Sequence, residues 1–228
     1  MRPVACLVPV RGFARGKQRL APLLTEAERA ALVAAMLHDV LDVLHRCARV
    51  TLLAVVSDDP AVAALAAEYG ALLLPDAPDG GLNACLQSGC AWLAAACPDH
   101  AVLLVPADLP ALTPALLEAT VLAAEAEVVI ARAADGGTNL LLQQPPAALP
   151  LRFGPASAAR HHEAARAAGR SVAMIDHPVL ACDLDRPADL AAFLARPGAG
   201  RTLHLLHLLR LRARLAALPD VCAPGVSR

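Results

Sequence analysis

Two groups of residues in this chain have the types and spacing to handle an anionic ligand, and both follow apolar runs. Arg11, Arg15, Lys17 and Arg19 place four cations within nine residues, interleaved with Gly12 and Gly16. Arginine offers a planar fork, lysine a compact point charge, and glycine a close backbone approach, so this loop suits a polyphosphate. Of the twenty basic residues nineteen are arginine, and Lys17 is the one lysine. Its retention points to a need that arginine does not meet. The second group is acidic: Asp108 in the stretch Pro106 to Pro110, and Asp183 and Asp185 in the stretch Cys182 to Pro187. In an extended segment Asp183 and Asp185 project to the same side and can share a hard cation, with Asp108 completing the site from another loop. Mg²⁺ suits such a set, because it takes one or two carboxylates plus phosphate oxygens and neutralises charge in phosphoryl chemistry. Singly, each residue reads equally well as a solvated turn or a helix cap; cations and acids together at strand ends do not.

A third set consists of glycine-containing loops: Gly80, Gly81, Leu82 and Asn83; Gly136, Gly137, Thr138 and Asn139; and Phe153 to Ser157. Glycine lets backbone amides face a ligand, and Ser157 at the start of a helix adds a hydroxyl to an anion site, although ordinary turns share this composition. Neither GxGxxG nor GxxxxGK[ST] occurs, so the dinucleotide fingerprint and the Walker loop are both unsupported. His161 and His162 on one helix, and His204 and His207 at i, i+3, lack a third ligand and read as solvated or packing residues.

The elements that must position these residues alternate. Short apolar runs at 5–9, 50–56, 71–74, 101–105, 127–132, 138–143 and 171–175 read as strands. Helical patterns lie between them at about 26–47, 61–69, 82–97, from 113 onward, 155–168 and 187–194. Thr25 and Glu28 form a capping-box pair, Gly70 a C-cap, and Thr113 followed by Pro114 a helix start. This is the signature of an α/β fold with helices on both faces of a sheet, and in open α/β sheets ligands bind beyond the carboxyl ends of the strands. After Arg196 the pattern breaks, so the chain divides into a main domain at 1–196 and a helical extension at 197–228. The extension is expected to pack on its own domain or on a second copy, which would make a homodimer.

Composition excludes other classes. The 228 residues fit one domain at a prior of ~150 residues each. Apolar types make up 57% and charged types 18%, with a mean hydropathy of +0.51, which excludes disorder for most of the chain. No apolar stretch approaches the ~18 residues that cross a bilayer, and the start does not read as a signal peptide, so a cytoplasmic protein is expected. A net charge of −1 and 2% aromatic residues argue against a nucleic-acid polymer as partner. The seven cysteines, Cys6, Cys47, Cys85, Cys90, Cys97, Cys182 and Cys222, show no zinc spacing and read as reduced thiols.

Six motifs in order identify a resemblance. They are Pro-Val-Arg-x5-Lys-x-Arg-Leu-Ala-Pro, Gly-Gly-Leu-Asn, Pro-Ala-Asp-Leu-Pro, Asp-Gly-Gly-Thr-Asn, Phe-Gly-Pro-x-Ser and Asp-Leu-Asp-Arg-Pro-x-Asp-Leu, running from Val8 to about Leu194. The chain resembles the guanylyltransferases of coenzyme F420 biosynthesis that act on 2-phospho-L-lactate, phosphoenolpyruvate or 3-phospho-D-glycerate. The resemblance implies a GT-A-like nucleotidyltransferase fold, a Rossmann-like mixed sheet, and a Mg²⁺-dependent transfer of GMP from GTP to a phosphorylated three-carbon acid. It implies that Arg11, Lys17 and Arg19 hold the GTP phosphates, with Lys17 and Asp108 catalytic, and that Gly81 and Asn83 lie by the nucleoside. It further implies that Asp108, Asp183 and Asp185 bind the metal and that Thr138, Gly154 and Ser157 hold the acid. The Gly-x-Gly-Thr-Arg loop of many sugar nucleotidyltransferases is absent, which argues against that class. A nucleotidyltransferase of molybdopterin or sugar-phosphate specificity, or a non-catalytic nucleotide-binding scaffold, are the alternative readings.

Overall fold

Alternation within the apolar runs sends successive side chains to opposite faces and so builds two cores on one sheet. The computed structural model describes residues 2–14, 16–76 and 81–218; Arg15, Gly80 and Cys222 lie outside the described residues. Seven strands, β1 Val4–Pro9, β2 Val50–Val56, β3 Leu72–Leu74, β4 Ala101–Leu104, β5 Val128–Arg132, β6 Thr138–Gln143 and β7 Val172–Ile175, form a single sheet in the order β3-β2-β1-β4-β6-β5-β7. Strand β6 runs antiparallel to both neighbours, β4 and β5, and every other pair is parallel. The mixed sheet is the one the resemblance implies.

Eight α-helices cover it among the described residues: α1 Glu26–Arg46, α2 Pro60–Glu68, α3 Gly81–Ala96, α4 Pro114–Ala119, α5 Ser157–Ala167, α6 Pro187–Leu194, α7 Arg201–Leu208 and α8 Leu211–Ala216. Val4, Cys6 and Val8 of β1 face a core shared with α1, α2, α4, α6, α7 and α8. Ala5 and Leu7 face the opposite core, made with α3 and α5. At ~1.5–3 kcal/mol per fully buried aliphatic side chain, these faces dominate the drive to this arrangement. No helix among the described residues is long and apolar enough to cross a membrane.

Helix α1 starts where the capping box places it: Thr25 Oγ1 accepts from the Glu28 amide at 3.3 Å, and Glu28 Oε2 accepts from the Thr25 amide at 2.8 Å. Helix α5 starts two residues later than its Pro155 signal, because Gly154 (φ 125°) and Ala156 (φ 53°) occupy positive φ and hold the chain out of the helix until Ser157. The C-terminal extension, expected to be helical, is broken into α7 and α8 at Arg210, whose φ is 50°. These two helices pack on the domain itself, with Leu206 and Leu211 buried in the same core as α1.

Candidate active site

The strand order reverses between β1 and β4, which places their outgoing loops on either side of a crevice, the position where open α/β sheets bind ligands. The loop after β1 leads through a 3-10 turn, Gln18–Leu20, into α1. It is braced from the β2 side, since Asp59 Oδ2 accepts from the Phe13 amide at 3.1 Å while Asp59 Oδ1 caps α2 through the Ala61 amide at 2.9 Å. Gly12 is required at this contact: its φ is 99°, and a Cβ there would lie 2.7 Å from Asp59 Oδ2.

Lys17, also at positive φ, turns its ammonium into the crevice, with a side chain only 8% exposed. Its Nζ stands 2.6 Å from Asp108 Oδ2 and 2.5 Å from Asp185 Oδ1. Burial pulls the pKa of this ammonium down, but the charges of Asp108 and Asp185 outweigh that effect, so Lys17 stays above its ordinary value and fully charged. Arg19, whose side chain is 65% exposed, approaches Asp185 Oδ2 at 3.7 Å from the open side.

The β4 loop carrying Asp108 and the loop before α6 are joined by the Leu184 amide, which donates to the Asp108 carbonyl at 3.1 Å. Leu184 is fully buried, and the alternation around it turns Asp183 and Asp185 together into the crevice. Asp189 in the first turn of α6 holds this loop, accepting from the amides of Asp185 and Arg186 at 3.0 and 2.7 Å. Carboxylate oxygens of Asp108, Asp183 and Asp185 lie within 4.8 Å of one another. Burial, then repulsion from Asp108 and Asp185, pushes the Asp183 carboxyl above the usual carboxylate range, against the pull of Lys17. The Oδ1 of Asp108 is buried without a hydrogen-bond partner. A buried, orphaned carboxylate oxygen beside two further carboxylates, only partly neutralised by Lys17 and Arg19, fits a divalent cation with oxygen ligands.

The same cleft, about 460 Å³, extends to a second wall made by Gly137, Thr138, Phe153, Gly154 and Ser157. Ser157 Oγ donates to Thr138 Oγ1 at 3.1 Å, and Thr138 Oγ1 also contacts His161 Nδ1 at 3.0 Å. His161 is fully buried, and burial, followed by the charges of Arg160 and Arg152, pushes its pKa down to about 4.

The cleft thus brings together Arg19, Asp108, Asp183 and Asp185 with Thr138, Gly154 and Ser157, and Lys17 reaches it through its two aspartates. Arg11 lies beside Gly81 at the start of α3, where a Cβ on the glycine would be 3.9 Å from Arg11 Nη2. Asn83 uses both ends of its amide on the backbone of Phe153, donating to the carbonyl at 3.1 Å and accepting from the amide at 2.7 Å. Two residues to which the sequence assigns no site role of their own, Asn139 in a glycine loop and His161 on a helix, support the cleft. Asn139 donates to the Leu180 carbonyl at 2.8 Å and reaches Asp183 Oδ1 at 3.5 Å, tying the two walls. His161 was read as solvated or packing, yet it stands four residues after Ser157 and hence on the same helical face, which is the signal that marks it.

A mixed sheet in this order, with a carboxylate trio facing a basic loop across the switch point, defines an α/β nucleotidyltransferase of GT-A-like build. Solved structures share the fold. One from Desulfovibrio desulfuricans G20, provisionally described as a nucleotide-diphospho-sugar transferase, matches with a TM-score of 0.76 at 18% identity over 95% of this chain and 98% of its own. A nucleotidyl transferase from Methanothermobacter thermautotrophicus matches with a TM-score of 0.54 at 18% identity, over 90% and 99%. Residues 4–221 match the family described as guanylyl transferase CofC like, a span that takes in α7 and α8, and the chain belongs to that family. It is 38% identical over 212 residues to the 3-phospho-D-glycerate guanylyltransferase of Phenylobacterium zucineum, covering 91% of this chain and 97% of the relative. It is 41% identical over 221 residues to the phosphoenolpyruvate guanylyltransferase of Thermomonospora curvata, covering 96% and 91%. The 2-phospho-L-lactate guanylyltransferase of Methanothermobacter thermautotrophicus is 33% identical over 213 residues, covering 91% and 92%.

Proposed function

We propose that this enzyme transfers GMP from GTP to a phosphorylated three-carbon acid, with release of pyrophosphate, as a step in coenzyme F420 biosynthesis. Similarity to relatives named for phosphoenolpyruvate and for 3-phospho-D-glycerate, at 41% and 38% identity, and to a relative named for 2-phospho-L-lactate, at 33%, supports an acceptor of this class. The observation that carries the reading is one cleft with a carboxylate and cation wall facing a hydroxyl and glycine wall.

Arg11, Lys17 and Arg19 supply positive charge for the triphosphate, and Gly81 at the start of α3 leaves room for the nucleoside beside Arg11. Asn83, two residues further along α3, fixes the 153 loop that carries Gly154 of the acid wall. Thr138 and Gly154 receive the carboxylate of the acid, and Ser157 serves the same wall by donating its hydroxyl proton to Thr138 Oγ1. Its phosphate oxygen, anionic at neutral pH, attacks the α-phosphorus in line; the bond from that phosphorus to the bridging oxygen breaks, and pyrophosphate carries the electron pair away. No general base is required, and the chain's own contribution is positioning and charge stabilisation. Asp108, Asp183 and Asp185 would hold Mg²⁺, which when bound neutralises phosphate charge. Lys17 bridges Asp108 and Asp185 and so orients both for that role.

Asp108→Asn and Asp183→Asn should each lower Mg²⁺-dependent pyrophosphate release by about a hundredfold or more while circular dichroism stays native. Full activity in folded variants would overturn this assignment.

A further inference from the structure

We propose that His161 is a positioning residue that makes the Thr138 hydroxyl an obligate donor toward the carboxylate of the acceptor acid. The inference rests on the reading of Thr138 as an acceptor contact and adds the sense of its hydrogen bond and the group that enforces it.

The geometry leaves little choice. The backbone amide of Arg152 can only donate, and it points at His161 Nε2 from 2.9 Å, so that nitrogen carries no proton. The single proton of the neutral ring is therefore on Nδ1, which donates to Thr138 Oγ1 at 3.0 Å. Ser157 Oγ donates to the same oxygen at 3.1 Å. Both acceptor positions of the Thr138 hydroxyl are then filled, and its own hydrogen is directed elsewhere, on a residue that lines the cleft. A hydroxyl that can only donate favours an anionic oxygen over a group with a proton to offer. The ring is locked in place: it is fully buried and meets the Phe153 ring edge-on, with centroids 5.0 Å apart. Protonation of Nε2 would set two donors against each other at Arg152, and burial opposes the charge as well.

The chain offers a clean pair of substitutions. In His161→Asn the amide nitrogen stands near the place of Nδ1 and can still donate to Thr138. In His161→Gln the amide oxygen reaches toward the place of Nε2 and serves Arg152 alone. With phosphoenolpyruvate, 3-phospho-D-glycerate and 2-phospho-L-lactate tried in turn, His161→Gln should raise the KM of the accepted acid about tenfold with the KM of GTP unchanged, the effect of one lost hydrogen bond to a charged group. His161→Asn should recover most of it. Thr138→Val should raise the same KM at least as much, and adding His161→Gln to it should cost nothing further. Nitrogen NMR of the unmutated protein should place the proton of His161 on Nδ1. A proton on Nε2, or a full additional loss in the double variant, would overturn the relay. If Thr138→Val raises the acid KM and His161→Gln does not, the relay fails while Thr138 keeps its place; if Thr138→Val changes nothing, the acceptor reading itself fails.

Discussion

Lys17 occupies a position that an arginine could not fill. Its ammonium must sit between two carboxylates from different loops, at 2.6 Å from Asp108 and 2.5 Å from Asp185, on a backbone already at positive φ. A compact group with three donors meets that demand, whereas a planar guanidinium needs a wider, flatter partner. Removing the charge leaves like charges facing each other. Lys17→Met should therefore destabilise the protein by about 1–3 kcal/mol, less than a fully buried pair would because Asp185 is open to water. Added Mg²⁺ should raise the melting temperature of Lys17→Met more than that of the unmutated protein, because the cation replaces the lost charge among the carboxylates. Equal shifts in calorimetry would separate Lys17 from the cation site. The lone lysine was legible in composition; its partners were not, because Asp108 and Asp185 lie 91 and 168 residues away in the chain.

At the scale of elements, the cleft depends on loops fastened to helices. Asn83 on α3 spans both backbone groups of Phe153, so the loop bearing Gly154 and the start of α5 moves with α3. Asn83→Ala leaves an amide and a carbonyl unpaired and should cost about 1–3 kcal/mol in urea unfolding. It should also raise the KM of the acid, with Asn83→Asp, which keeps the acceptor and loses the donor, falling between. An Asn83→Ala enzyme with native stability and acid KM would show that the clamp is idle. The strands and their polar ends were readable because a buried strand leaves a continuous apolar run, and the alternation that buries Leu184 was readable in the spacing of Asp183 and Asp185. The start of α5 was not: Pro155 is a good first helical residue, and only the positive φ of Gly154 and Ala156, set by tertiary packing, defers the helix to Ser157. The break at Arg210 was hidden for the same reason, since the leucine and arginine pattern runs through it unchanged.

Across the whole molecule, the C-terminal helices brace the helix that follows the basic loop. Asp39 of α1 accepts from the amides of Arg201 and Thr202 at 2.8 and 2.9 Å, and Arg214 of α8 makes a bidentate pair with Glu28 at 2.8 and 2.9 Å. The hydrogen bond from Arg214, then those from Thr25, hold the Glu28 carboxyl at about 2, below its ordinary 4.5. The unfolded chain takes up this proton first as pH falls, so the contribution is complete above about pH 4.5 and is lost on descent toward about pH 2. Arg214→Met should accordingly melt below the unmutated protein at about pH 6, with the gap shrinking below about pH 4.5 and closing as the pH falls through about 2. A gap independent of pH would assign the effect to packing. Fold, site and family converge on one reaction, and its most direct measurement is pyrophosphate release from GTP and Mg²⁺ with phosphoenolpyruvate, 3-phospho-D-glycerate and 2-phospho-L-lactate supplied separately. The expected result is release that requires one of these acids and ceases without it; folded protein that is silent with all three, or releases pyrophosphate equally in their absence, would contradict guanylyl transfer to a phosphorylated acid.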